Sequence, residues 1–149
     1  MSNDALVQGE LADEALIPPE MASEALVLIG EDEPDNQVIL QTVVEMLVGV
    51  RAEVAGDGLA VLASVQRERP RMILLDLMLP GLDGFQVARQ LKGDPATRAI
   101  PIVAVSAMAR PDDREAALAA GCDEFVRKPF ELDDLEALIK KYLSNGATA

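Results

Sequence analysis

The chain has 149 residues, which suits one domain around one core. Half of the residues are hydrophobic and only 3% aromatic, so global disorder is excluded and the interior must be built from Leu, Val, Ile and Ala. A net charge of −13 argues against binding nucleic acid through phosphate contacts and against anionic membranes, and the absence of histidine removes imidazole catalysis, His metal sites and any phosphohistidine on this chain.

Residues 1–24 differ from the rest. Asp4, Glu10, Asp13, Glu14, Glu20 and Glu24 are scattered among Ala and Leu, and Pro18-Pro19 would end any helix there. The fragments Asp4-Ala5-Leu6-Val7, Glu14-Ala15-Leu16-Ile17 and Glu24-Ala25-Leu26-Val27 look alike, but their uneven spacing does not make a repeat. The stretch reads as a frayed acidic extension; the sharper alternative is a short helix that docks on the domain or on a partner. It is neither a signal peptide nor a membrane span.

From residue 25 the pattern becomes regular. Ala25–Ile29 predicts a buried strand, closed by Gly30 and the acidic turn Glu31-Asp32-Glu33-Pro34-Asp35. Residues 35–48 predict a helix with Val38, Ile39, Val43, Met46 and Leu47 inward and Pro34 or Asp35 at its start. Residues 51–55 predict a short strand. Asp57 can cap a helix reaching about Arg69, with Leu59, Leu62 and Val65 inward.

Met72–Leu75 predicts a strand buried on both faces, running into Asp76 and then the chain-turning residues Pro80, Gly81 and Gly84. Gly84–Lys92 predicts a helix with Phe85, Val87, Ala88 and Leu91 apolar, and Pro101–Val105 a strand ending at Ser106. Asp112–Ala120 predicts an Ala-rich helix stopped by Gly121. Cys122 reads as a small buried filler. Asp123–Arg127 predicts the fifth strand, followed by Lys128-Pro129-Phe130. Residues 131–143 predict the last helix, with Leu132, Leu135, Leu138 and Ile139 inward, and 144–149 a frayed tail. Five strands alternating with five helices through short connections require parallel crossovers, hence an α/β doubly wound sandwich.

In such a sheet the carboxyl ends of the strands open on one edge. Glu31 and Asp32 follow the first strand, Asp76 the third, Ser106 the fourth and Lys128 the fifth. Each alone is an ordinary cap, turn former or loop residue. Together they describe a site. Clustered carboxylates repel and favour a divalent cation, and an all-oxygen donor set points to Mg²⁺ or Mn²⁺. A lysine and a hydroxyl beside them suit a phosphoryl group, and an Asp carboxylate is a competent nucleophile toward phosphorus.

Four segments carry a resemblance: Val27-Leu28-Ile29-Gly30-Glu31-Asp32-Glu33-Pro34-Asp35-Asn36, Leu74 through Gly84, Ile100 through Ala107, and Phe125-Val126-Arg127-Lys128-Pro129-Phe130. In order and spacing, residues 25–143 resemble the receiver domain of two-component response regulators. The resemblance implies a sheet of order 2-1-3-4-5, with Asp76 as phosphoacceptor. It implies Mg²⁺ (or Mn²⁺) held by Asp32, Asp76 and the backbone carbonyl of Met78, with Glu31 binding through water. It implies Lys128 pairing with Asp76 and then with its phosphate, Ser106 moving to the phosphate with help from the Ala107 N–H, and Phe125 at the aromatic position that swings inward. For Phe125 the reading as plain core packing stays equally open, and Met78 is expected to limit water access to the phosphate.

The expected function is a stand-alone, cytoplasmic, single-domain response regulator. It takes a phosphoryl group from a sensor histidine kinase or phosphotransfer protein, and it acts on a downstream protein through the face of the fourth helix, fifth strand and fifth helix. It is not an enzyme in its own right, binds no nucleic acid or membrane, and is a monomer or weak homodimer. An aspartyl-phosphate hydrolase would need a second Asp where Met78 stands. A flavin binder would want a Gly/Ser/Thr-rich loop after the first strand and aromatic residues for stacking. A phosphorylation-independent scaffold on the same fold is the remaining alternative.

Overall fold

The computed structural model describes residues 25–108 and 110–148. The acidic extension 1–24, with the two readings given for it, and residue 149 lie outside them. Five parallel strands form one sheet: β1 (Leu26–Gly30), β2 (Arg51–Ala55), β3 (Met72–Leu75), β4 (Ile102–Ser106) and β5 (Glu124–Arg127). Their order is β2-β1-β3-β4-β5, the expected one. The helices among the described residues are α1 (Pro34–Thr42), α2 (Gly58–Arg67), α3 (Gly84–Gly93), α4 (Asp113–Ala119) and α5 (Leu132–Thr148). A π-helical stretch, Val43–Val48, prolongs α1 and ends at Gly49, whose φ of 91° is left-handed. No described helix is long and apolar enough to cross a membrane.

Strand alternation divides the core in two. Val27, Ile29, Met72, Leu74, Val103 and Val105 pack with Leu40, Val43 and Val44 and with Leu135, Ile139 and Leu143 of α5. Leu28, Ile73, Leu75, Ile102 and Ala104 pack on the other face with α2, α3 and α4. Strands covered on both sides read as continuous apolar runs. Cys122 lies in the second cluster, where burial pushes its thiol up to about 11.

The inward faces of the helices differ from the expected ones. Val38 and Met46 are 60% and 76% exposed, Ile39 and Leu47 are exposed too, and of the predicted stripe only Val43 is buried, joined by Leu40 and Val44. The π-helical turns change the angular spacing inside this segment, so a stripe counted at 3.6 residues per turn runs out of phase. Leu59 and Leu132 also face solvent, while Val61, Ser64 and Val65 line the inside of α2. The tail expected from residue 144 is helical through Thr148. Each added residue of a running helix gains a backbone bond, and a lone glycine costs it only about 1 kcal/mol.

Carboxylates start three helices. Glu33 accepts from the Asn36 N–H at 3.1 Å, Asp57 from Ala60 N–H at 2.8 Å and Asp83 from Gln86 N–H at 3.0 Å, each satisfying a first-turn donor. Two glycines let the segment after β3 pack closely. A Cβ on Gly84 would stand 2.6 Å from the Asp76 carbonyl oxygen, and one on Gly58 would stand 1.8 Å from that of Leu82. The turn that carries Asp76 is thereby clamped between the first turns of α2 and α3.

Two outcomes follow from this packing. Gly58→Ala should lose roughly 1–3 kcal/mol in urea denaturation, because backbone must move to admit the methyl group. Gly56→Ala, with nothing within 4 Å of its Cβ position, should stay within about 0.5 kcal/mol of the parent; equal losses at both sites would refute the clamp. Separately, the Tyr142 hydroxyl donates to Glu124 Oε1 at 2.9 Å, and burial followed by that bond pushes the phenol up to about 12. Its raised value means that the stability from the neutral phenol is fully present below 10.0 and is lost as pH rises through about 12. Tyr142 is the single tyrosine in a chain without tryptophan, so its near-ultraviolet titration is unambiguous, and Glu124→Gln should bring the midpoint down.

Candidate functional site

The strand order assembles the site. β1 and β3 are neighbours in register, Gly30 opposite Leu75, so the residues after each strand leave the sheet side by side. The ladder runs one step further: the Asp76 N–H donates to the Gly30 carbonyl at 2.8 Å and the Glu31 N–H to that of Ala55 at 3.0 Å. On the far side of β3, β4 ends at Ser106, whose carbonyl accepts from the Lys128 N–H at 2.9 Å. Lys128 therefore starts two strands away from Asp76 and its long side chain bridges the gap across the tip of β4.

Lys128 Nζ lies 2.8 Å from Glu31 Oε1 and 3.1 Å from Asp76 Oδ2. Asp76 Oδ1 accepts the Met78 N–H at 2.9 Å, and Glu31 Oε2 accepts the Glu33 N–H at 3.1 Å. Glu31, Asp32 and Asp76 each present an oxygen within 4.8 Å of the others. Glu31 and Asp76 are buried and Asp32 is exposed, so the cluster has one open side. A gap of this size lined by carboxylate oxygens fits a hard divalent cation, and three negative charges facing one ammonium leave charge for it to neutralise.

Burial raises the Glu31 carboxyl above its usual range, and the nearby Asp76 charge adds to this against the opposing bonds from Lys128 and the Glu33 N–H. For Lys128, burial pulls the ammonium down. Its bonds to Glu31 and Asp76 and their charges together outweigh that, leaving it raised and protonated.

Four of the residues singled out from sequence thus meet directly: Glu31, Asp32, Asp76 and Lys128. Met78 joins them through its backbone N–H while its side chain is 58% exposed at the rim. Ser106 is buried, but its Oγ accepts from the Met108 N–H at 3.4 Å. Ala107 beside it is exposed. Phe125 is half-buried against the core cluster beneath α2, α3 and α4. One contributor escaped the sequence reading: Gln37 Nε2 donates to the Glu31 carbonyl at 2.7 Å and pins the tip of β1. A glutamine in the first turns of a helix carries no signal of that kind until the helix direction is known.

Removing either partner of the central pair should have opposite effects in a metal-chelating buffer. Lys128→Met leaves Glu31 buried without its cation and should cost about 3 kcal/mol. Asp76→Asn keeps the Met78 bond, removes two like-charge repulsions against one attraction, and should stabilise by on the order of 1 kcal/mol. Urea midpoints decide; a strongly destabilised Asp76→Asn protein would mean that the cluster is not electrostatically frustrated.

Comparison with known proteins places this geometry. The family model of the response regulator receiver domain matches residues 27–140. Response regulator PleD of Caulobacter vibrioides is 47% identical over 77 residues, 52% of this chain and 17% of that protein. An uncharacterized 14.6 kDa protein of Leptolyngbya boryana is 30% identical over 116 residues, 78% of this chain and 88% of that protein. Among solved structures, the receiver domain of sensor histidine kinase PA1611 from Pseudomonas aeruginosa, with magnesium in its active-site cleft, superposes with a TM-score of 0.73 at 33% identity, covering 80% of this chain and 97% of that one. The Mn²⁺-bound form of response regulator Rcp1 gives a TM-score of 0.68 at 28% identity, covering 78% and 90%. With three-quarters of its length matched by the family model and its sheet in the family's strand order, this chain belongs to the response regulator receiver domains of two-component signalling.

Proposed function

We propose that Asp76 accepts a phosphoryl group from a histidine kinase or phosphotransfer protein, with Mg²⁺ (or Mn²⁺) bound beside it, and that the modified domain changes its protein contacts. The observation that carries this reading is the Lys128 ammonium set between Glu31 and Asp76, with Asp32 on the open side. Asp32, Asp76 and the Met78 carbonyl would hold the cation directly, with Glu31 holding it through water. Bound there, the cation neutralises charge on the equatorial phosphoryl oxygens.

In the transfer itself, an Asp76 carboxylate oxygen forms a bond to phosphorus while the bond from phosphorus to the donor's imidazole nitrogen breaks, and the donor leaves as neutral histidine after protonation. Lys128 supplies a positive charge to the incoming group, and alignment does most of the remaining work. The Ser106 hydroxyl turns from the Met108 N–H to a phosphate oxygen, joined by the Ala107 N–H. Phe125 responds to the space that Ser106 vacates, and the face of α4, β5 and α5 changes shape. A local charge change biasing a two-state element is the general form of such a switch. The apolar Met78 side chain shields the acyl phosphate from water and lengthens its life.

The chain spans 88% of the Leptolyngbya boryana relative but only 17% of PleD. The acidic balance agrees with output through protein, not nucleic acid, by a monomer or weak homodimer. A cytoplasmic setting follows from the need for a kinase charged by ATP.

Incubation with Mg²⁺ and acetyl phosphate should add one phosphoryl mass, and beryllofluoride should shift the NMR signals of Ser106, Phe125 and Lys128; Asp76→Asn should abolish both. Failure of both reagents on the parent would leave the scaffold reading in its place. In the same assay the phosphorylated Met78→Asn protein should lose its label faster than the parent, and equal half-lives would remove the shielding role.

A further inference from the structure

A second cavity lies away from the carboxylate cluster. It has a volume of about 510 Å³ and is lined by Met108, Arg110, Pro111, Arg114, Phe125 and Arg127. Three guanidinium groups around a methionine and a phenylalanine make an unusual surface on a chain of net charge −13. Arg110 and Arg114 are exposed, and neither guanidinium forms an ion pair among the described residues. Arginine beside exposed apolar surface is the composition expected where a negatively charged, partly apolar segment binds.

The chain itself contains such a segment. Residues 1–24 carry six carboxylates and no lysine or arginine. Twice, in Asp4-Ala5-Leu6-Val7 and Glu14-Ala15-Leu16-Ile17, a carboxylate stands two residues before a leucine, pairing one charge with one apolar anchor. We propose that the acidic extension 1–24 docks in this cavity on its own domain, its carboxylates on Arg110 and Arg114 and its leucines against Met108 and Phe125. Another cavity among the described residues, of about 380 Å³, is a poor competitor. It is lined mainly by Ile39, Pro129, Phe130 and Leu132, and its single cation, Lys128, is already held by Glu31 and Asp76. The three carboxylates beside it repel an acidic segment.

Reach is not limiting. Twenty-four residues can extend about 80 Å, and a domain of this size is on the order of 35 Å across. The tether holds the segment at an effective concentration of about 1 mM, so even contacts with a Kd of about 1 mM keep it docked roughly half the time. Docking there covers Phe125 and the start of α4, part of the face given above to the output partner. The extension therefore competes with that partner, a consequence that rests on the proposed function, whereas the docking does not.

The test uses the full chain with a nitroxide on Gln8→Cys; buried Cys122 stays unlabelled, as a mass spectrum verifies. The amides of Arg114, Phe125 and Arg127 should be selectively broadened at about 0.1 M salt and recover at about 1 M, where screening contracts from ~10 to ~3 Å. The double variant R110E/R114E should lose the broadening, and adding D13K/E14K to it should restore it. Even or absent broadening, or broadening centred on Ile39 and Leu132, overturns the proposal. So does broadening of a separately isotope-labelled, spin-free chain mixed with the spin-labelled one, which would place the segment on a second copy. None of these readouts requires phosphorylation, so a site that cannot be phosphorylated would leave the docking result standing.

Discussion

One ammonium group reconciles the carboxyl edge of this sheet with its own burial. Glu31 is 1% exposed and Asp76 is 8% exposed, and two such carboxylates a few ångströms apart would repel and resist desolvation. Lys128 meets both at hydrogen-bond distance. Its own burial is tolerated only because they are there, so each of the three is buried on account of the other two. One positive charge does not balance the third carboxylate, Asp32, on the open side. That residual charge suits a divalent cation, and it is the feature on which the proposed phosphoryl transfer rests.

The scaffold serves this arrangement. Parallel strands end together, and the reversal of chain direction across the sheet between β1 and β3 leaves a crevice where Glu31, Asp32 and Asp76 emerge as neighbours. Backbone N–H groups of Met78 and Glu33 occupy the carboxylate oxygens that Lys128 does not reach. Gly58 and Gly84 allow the loop behind Asp76 to be packed tightly. The Asp76 carboxylate is thus held by ordinary packing, while Ser106 and Phe125, the parts given a moving role in the proposal, are less committed: Ser106 by one long hydrogen bond and Phe125 by partial burial.

The molecule has two faces of opposite electrostatic character at this end of the sheet. The acidic cluster suits a divalent cation. The Arg110, Arg114 and Phe125 cavity calls for a negatively charged and partly apolar segment. The phosphoryl signal proposed for the first and the contact proposed for the second meet at the end of β5, where Lys128 directly follows Arg127. That proximity gives a small charge change a short path to a binding surface.

The amino-acid sequence by itself determined the five strands, the crossover fold, the caps at Asp57 and Gly121, and the identity of the polar residues at the strand tips. Those features are local: an apolar run ended by Asp or Gly has the same meaning wherever it packs. Strand order and family followed from four motifs taken together, not from any one. What only the tertiary structure decided is which partners meet. Lys128 and Glu31 are 97 residues apart, and their 2.8 Å contact exists because β1, β3, β4 and β5 lie in that order. The inward faces of α1, α2 and α5 were likewise decided in three dimensions. Val38, Leu59 and Leu132 are as apolar as residues that are buried beside them, and which of these neighbours turns inward depends on how each helix is wound and packed on the sheet, the π-helical stretch after α1 included.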